Sequence, residues 1–98
     1  APFVMPEEDT AQLYLFPVSS MATADFAAVC ALAARLYRKF DAEFSQQLQA
    51  AAQKTGIWLE EHPEFIGFEN PPGCWTGSYG ESTDADNRYW ACAAMAAP

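Results

Sequence analysis

Three kinds of side chain in this 98-residue sequence have the chemistry to bind or react. Carboxylates come first: thirteen acids against five bases give a net charge of −8, and the acids gather at Glu7–Asp9, between Glu60 and Glu69, and at Glu81–Asp86. Such clusters are solvated faces by default, but their hard oxygens also suit a cation. The same balance excludes nucleic acid, which needs a Lys/Arg footprint for its phosphates, and disfavours an anionic membrane surface. A neutral partner or a cation is the expectation. Second are the rings of the stretch after Pro63, above all Trp75 and Tyr79, flat apolar surfaces with a polar edge. Third are Cys30, Cys74 and Cys92, in which no pair has metal-type spacing, so they read as buried free thiols. His62, just before Pro63, reads as a helix-end cap and not as a proton shuttle.

Something has to position these groups, and the helical spacing shows what. From Ala24 to Phe40, one side carries Phe26, Val29, Cys30, Ala33, Leu36, Tyr37 and Phe40, and the other carries Ala24, Ala27, Ala28, Ala31 and Ala34. A helix with large residues on one flank and alanines on the other belongs between two layers. Ser19, Ser20 and Thr23 offer caps for its start, with Asp25 expected in the first turn. Before it, Pro2, Pro6 and Pro17 keep residues 1–22 out of helix, and the apolar run Leu13–Val18 reads as an extended segment laid on a surface.

Between Ala42 and His62 the pattern changes to a single stripe of Phe44, Leu48, Ala51, Ala52, Thr55, Trp58 and Leu59, with glutamines and charges around the remainder, so this second helix has one wet side. Gly56 costs it about 1 kcal/mol relative to Ala. Residues 63–80 hold three of the seven prolines and four of the five glycines, which makes residues 63–83 a long structured loop. A third helix starts at Thr83 or Asp84, where Thr83 and Asp86 form a weak capping-box pattern, and Tyr89–Ala97 again lacks any charge.

The order is therefore an extended lead-in (1–22), a covered helix (23–40), a half-wet helix (42–62), a long loop (63–83) and a covered helix (84–97). Starts about 60 residues apart disagree with helical solenoids of 33 or 34 residues. The order fits a double-layered toroid of alternating inner and outer helices. With 51% hydrophobic residues, the sequence has more apolar surface than a chain of this length can cover by itself, and the expectation is a piece of something larger. No apolar run reaches the roughly 20 residues of a membrane span, and the first residues lack the pattern of a signal peptide.

Residues Met5–Thr10 (MPEEDT), Pro17–Asp41 (PVSSMATADFAAVCALAARLYRKFD) and Asn70–Met95 (NPPGCWTGSYGESTDADNRYWACAAM) resemble part of the catalytic domain of glycoside hydrolase family 9, nearest to members with an immunoglobulin-like domain ahead of it. The resemblance implies an all-α fold, part of an (α/α)6 toroid with long loops, from a secreted, inverting β-1,4-glucanase that degrades cellulose. Its partners would be a β-glucan polysaccharide, bound through the complete domain, and the remainder of that domain. The family's catalytic base lies in a D-A-G-D-Y type motif before this region and its acid far after it, so no catalytic residue is assigned here; Glu7, Glu8 and Asp9 read as loop acids.

Two supporting sites follow from the same resemblance. Trp75 and Tyr79 would stack against sugar rings. Ser82, Thr83, Asp86 and Asn87, with Asp84 close by, match positions that hold a structural calcium in many members. Asn87 stands where the family usually has glutamate, which removes a charge and a bidentate ligand and leaves calcium retention open against a plain N-cap cluster. The alternative from another class is a small acidic helical module, without enzymatic activity, that docks its apolar faces on a partner protein.

Overall fold

A computed structural model describes residues 5–10, 13, 15–73 and 83–97. Their regular structure is entirely helical: a 3₁₀ turn at Pro6–Glu8, then α1 (Ser20–Tyr37), α2 (Ala42–Glu61) and α3 (Ala85–Ala96). Each start has a local cause. Ser19 is the N-cap of α1, its Oγ accepting the Ala22 N–H at 3.2 Å, while Asp41 caps α2 by accepting the Phe44 N–H at 3.0 Å. Because α1 opens at Ser20, ahead of the position expected from the sequence, Asp25 falls beyond the first turn and serves another purpose. The α2 helix closes on His62, whose backbone N–H and ring Nδ1 both donate to the Trp58 carbonyl, at 3.0 and 2.9 Å, with its ring stacked on Trp58.

α1 lies between its two neighbours, and α2 and α3 pack against it far more than against each other. The alanine flank makes this possible. Ala24, Ala27, Ala28, Ala31 and Ala34 are all buried, and side chains this small let helix backbones approach on both sides. Cys30 turns in with them, where burial pushes its thiol pKa up. Ala52 and Leu59 of α2 and Ala91 and Ala94 of α3 complete the core.

Polar ties fix the register. The Ser45 hydroxyl donates to the Ala34 carbonyl at 2.6 Å, and Arg35 Nη1 donates to the Ala94 carbonyl at 2.6 Å. Gly56 sits where α2 meets α3: a Cβ there would lie 2.7 Å from Met95 Cε. The glycine thus makes room for a neighbour at a helix-propensity cost.

The resulting layer measures 43 × 35 × 17 Å, little more than one helix thick. Much of the large-residue flank of α1 stays open among the described residues: Phe26, Val29 and Leu36 are 51, 52 and 62% exposed, and Phe40, just past the helix, is 85% exposed, while Tyr37 packs edge-on against Phe44 of α2 at 5.0 Å between ring centroids. Tyr89 and Trp90 of α3 are exposed as well. Two expectations change. Cys92 is exposed and not a buried thiol. In the apolar lead-in, Leu13 and Leu15 face outward, while Phe16 meets Phe68 at 5.4 Å between ring centroids.

Candidate functional site

The chemistry-bearing residues converge where α3 begins, against the first turns of α1 and the end of α2. Asp84, the N-cap of α3, is buried, and its carboxylate accepts from Arg88 Nε at 2.8 Å, the i,i+4 reach of a helix. The rest of the Arg88 guanidinium spans the gap to α2. Nη1 donates to the Leu59 carbonyl at 3.0 Å, and Nη2 to the carbonyls of His62 at 2.7 Å and Glu64 at 3.1 Å. Four bonds from one planar fork tie the helix start, the open carbonyls at the end of α2 and the beginning of the loop into one unit.

Ser20 joins this unit from α1. Its backbone N–H donates to the Ile66 carbonyl at 2.9 Å, and its hydroxyl accepts the Ile66 N–H at 2.9 Å. The single hydroxyl proton has the Ile66 carbonyl, at 3.2 Å, and the Asp84 carboxylate as acceptors. Burial by itself would raise the Asp84 pKa. The hydrogen bonds from Ser20 and Arg88, with the Arg88 charge, outweigh burial and hold the carboxyl below its ordinary value.

One turn on, Asn87 Nδ2 donates to Asp25 Oδ1 of α1 at 2.9 Å. An ionised carboxylate can only accept, so the amide nitrogen must face Asp25 and the amide oxygen must point the other way. That oxygen, Asn87 Oδ1, is buried and has no hydrogen-bond partner among the described residues. Thr83 and Asp86 are exposed. Thr83 Oγ1 accepts from the Ala85 N–H and Asp86 Oδ1 from the Asn87 N–H, both at 3.2 Å. The capping-box reading is therefore corrected: Asp86 serves its own turn and does not close a reciprocal pair with Thr83.

Of the residues singled out from the sequence, Thr83, Asp86 and Asn87 share this corner. Asp84 is turned away from it toward Arg88. Ser82, Trp75 and Tyr79 lie outside the described residues. Among the described residues no three of His, Cys, Asp and Glu gather in a metal-binding group; what the corner offers is mixed oxygen chemistry, an exposed carboxylate, a hydroxyl and an orphaned amide oxygen. His62 acts as the helix cap expected of it. Glu7 and Glu8 are exposed in the short 3₁₀ turn. Arg88, Ser20 and Asp25 carry roles that the sequence reading missed. The Asp84–Arg88 spacing was a usable signal for one of them; the contacts of Ser20 and Asp25, spanning 46 and 62 positions, leave no local trace.

The sequence matches glycosyl hydrolase family 9 over residues 2–97. The chain belongs to this family. A cellodextrinase of Butyrivibrio fibrisolvens is 47% identical over 95 residues, which are 97% of this chain and 17% of that protein. Endoglucanase D of Acetivibrio thermocellus is 40% identical over 93 residues, 95% of this chain and 15% of that protein. Among solved structures, a thermostable endoglucanase (D468A) from Alicyclobacillus acidocaldarius superposes with a TM-score of 0.84 at 43% identity, covering 92% of this chain and 17% of its own. AaCel9A in complex with cellobiose-like isofagomine gives 0.85 at 42%, covering 94% and 17%.

The three helices are thus part of an (α/α)6 toroid, and the family-9 chain described here spans about a sixth of the length of these relatives. Three helices cannot by themselves supply both layers of such a toroid. A helix of a double-layered toroid touches its neighbours within the layer through one pair of surfaces and the second layer through another.

Proposed function

We propose that this chain is a segment of a secreted, inverting β-1,4-glucanase, and that its task within the enzyme is to build and brace the toroid. The observation that carries the reading is the family-9 match along nearly the whole chain, joined to a superposition on two solved structures at above 40% identity. Relatives named as endoglucanases and a cellodextrinase support a β-glucan as the substrate class. The reading as a non-enzymatic interaction module is not favoured.

Inverting hydrolysis needs a carboxylate to activate water and a carboxylic acid to protonate the leaving oxygen, about 6.5 to 9.5 Å apart. Neither role falls to a residue of this sequence. What its own residues contribute is support: Arg88, Asp84 and Ser20 hold the chain after α2 against two helices, and Trp75 and Tyr79, further along the sequence, are the candidates for stacking on glucose rings. The full-length protein should release reducing sugar from a soluble cellulose derivative, with the α-anomer appearing first by NMR. No release from any β-1,4-glucan would overturn the proposal.

A structural calcium at the start of α3 belongs to the same reading. The orphaned Asn87 Oδ1, with the oxygens of Asp86 and Thr83, fits the hard-oxygen preference of the ion, and the resemblance adds Ser82 to the set. When bound, calcium supplies charge that ties the start of the helix to the chain before it. Calorimetric titration of the full-length protein should show a site that Asp86→Ala removes; equal heats in both proteins would count against it.

A further inference from the structure

We infer that Asp25, on α1, is a positioning residue for the cation site at the start of α3, acting through Asn87; this rests on the calcium reading above. Three observations support it. Asp25 Oδ1 takes the Asn87 amide nitrogen at 2.9 Å, which selects one of the two flips of that amide. The selected flip leaves Oδ1 buried without a partner among the described residues, an arrangement that costs free energy unless a donor or a cation answers it. Asp25 itself is half-buried on a helix whose surroundings here are mostly alanine, and it interrupts an otherwise apolar stretch, where a carboxylate is costly without a purpose.

The two residues form a relay. The carboxylate accepts from the amide N–H, draws electron density toward the amide oxygen, and makes that neutral oxygen a better ligand for a hard cation. It also places a full negative charge one hydrogen bond behind a ligand that carries none of its own. Partners of this kind typically change metal affinity by about 10- to 100-fold. The Asp25–Asn87 bond also joins α1 to α3, so cation binding and the packing of these two helices reinforce one another.

The test is calcium titration by calorimetry on the full-length protein, with melting in a chelator as a separate readout. Asp25→Asn keeps an oxygen acceptor for the amide but removes the charge. It should weaken calcium by about tenfold or more while the chelated protein melts within a few degrees of the unaltered one. Asp25→Ala, which lacks the acceptor too, should bind more weakly still. Calcium binding within twofold of the unaltered protein in both variants would overturn the relay while leaving the calcium site standing. Absence of any calcium heat in the unaltered protein would overturn both. Should Asp25→Asn melt much lower in chelator while calcium affinity stays within twofold of the unaltered protein, the Asp25–Asn87 bond would be purely structural and the relay would fall.

Discussion

Arg88 Nη2 donates to the His62 carbonyl at 2.7 Å, joining the first turn of α3 to the residue that terminates α2. The same guanidinium serves Asp84, Leu59 and Glu64, so its loss takes the paired cation from a buried carboxylate that then keeps the Ser20 hydroxyl, and removes a donor from three carbonyls. Arg88→Lys should cost about 2 kcal/mol and Arg88→Ala about 3 kcal/mol, since hydrogen bonds to charged groups are worth about 1.5–3 kcal/mol each and one amine cannot reproduce the fork. Chemical denaturation of the full-length protein measures both. Equal stability of the lysine variant and the parent would show that the fork is idle.

Asp84 makes this corner sensitive to acid. Its folded pKa lies below the ordinary carboxylate value of 3.8, so its stabilising contribution is present above that pH and is lost as pH falls through 3.8 toward the folded value. Asp84→Asn should therefore reduce stability at neutral pH and flatten the acid limb of the stability curve. A variant whose stability falls as steeply as the parent below pH 4 would place the acid-labile group elsewhere.

The two flanks of α1 predict opposite responses to size. Ala28 is fully buried between helices, and Ala28→Leu should destabilise by about 1–3 kcal/mol through overpacking. Phe26 is half exposed here; if the second layer of the toroid covers this flank, Phe26→Ala in the full-length protein should cost about 3 kcal/mol. A cost below about 0.5 kcal/mol, the surface value, would mean that this flank faces water.

Gly56 and Met95 should be energetically coupled. Alanine at position 56 gains about 1 kcal/mol of helix propensity, but its Cβ meets the flexible end of Met95 at 2.7 Å. Gly56→Ala should give less than that gain in the parent and nearly all of it in a Met95→Ala background. A double-mutant cycle by thermal melting reads the difference; strict additivity would deny the contact.

The sequence alone determined the three helices and their character, because helix formation answers to neighbours three and four positions away: the alanine stripe, the single apolar stripe through Leu48 and Trp58, and the Ser19 and Asp41 caps are all local. The motifs around Asn70–Met95 likewise announced the family. Which flank of α1 packs inside this segment was decided only in three dimensions, where small side chains permit close approach to two helices at once and most of the bulky flank is left open. Cys30 sided with the alanines for that reason. The candidate site was half legible, since Thr83, Asp86 and Asn87 are neighbours in sequence. Asp25 and Ser20 entered it from far away through single hydrogen bonds, and a bond across 62 positions has no periodicity for a sequence to display.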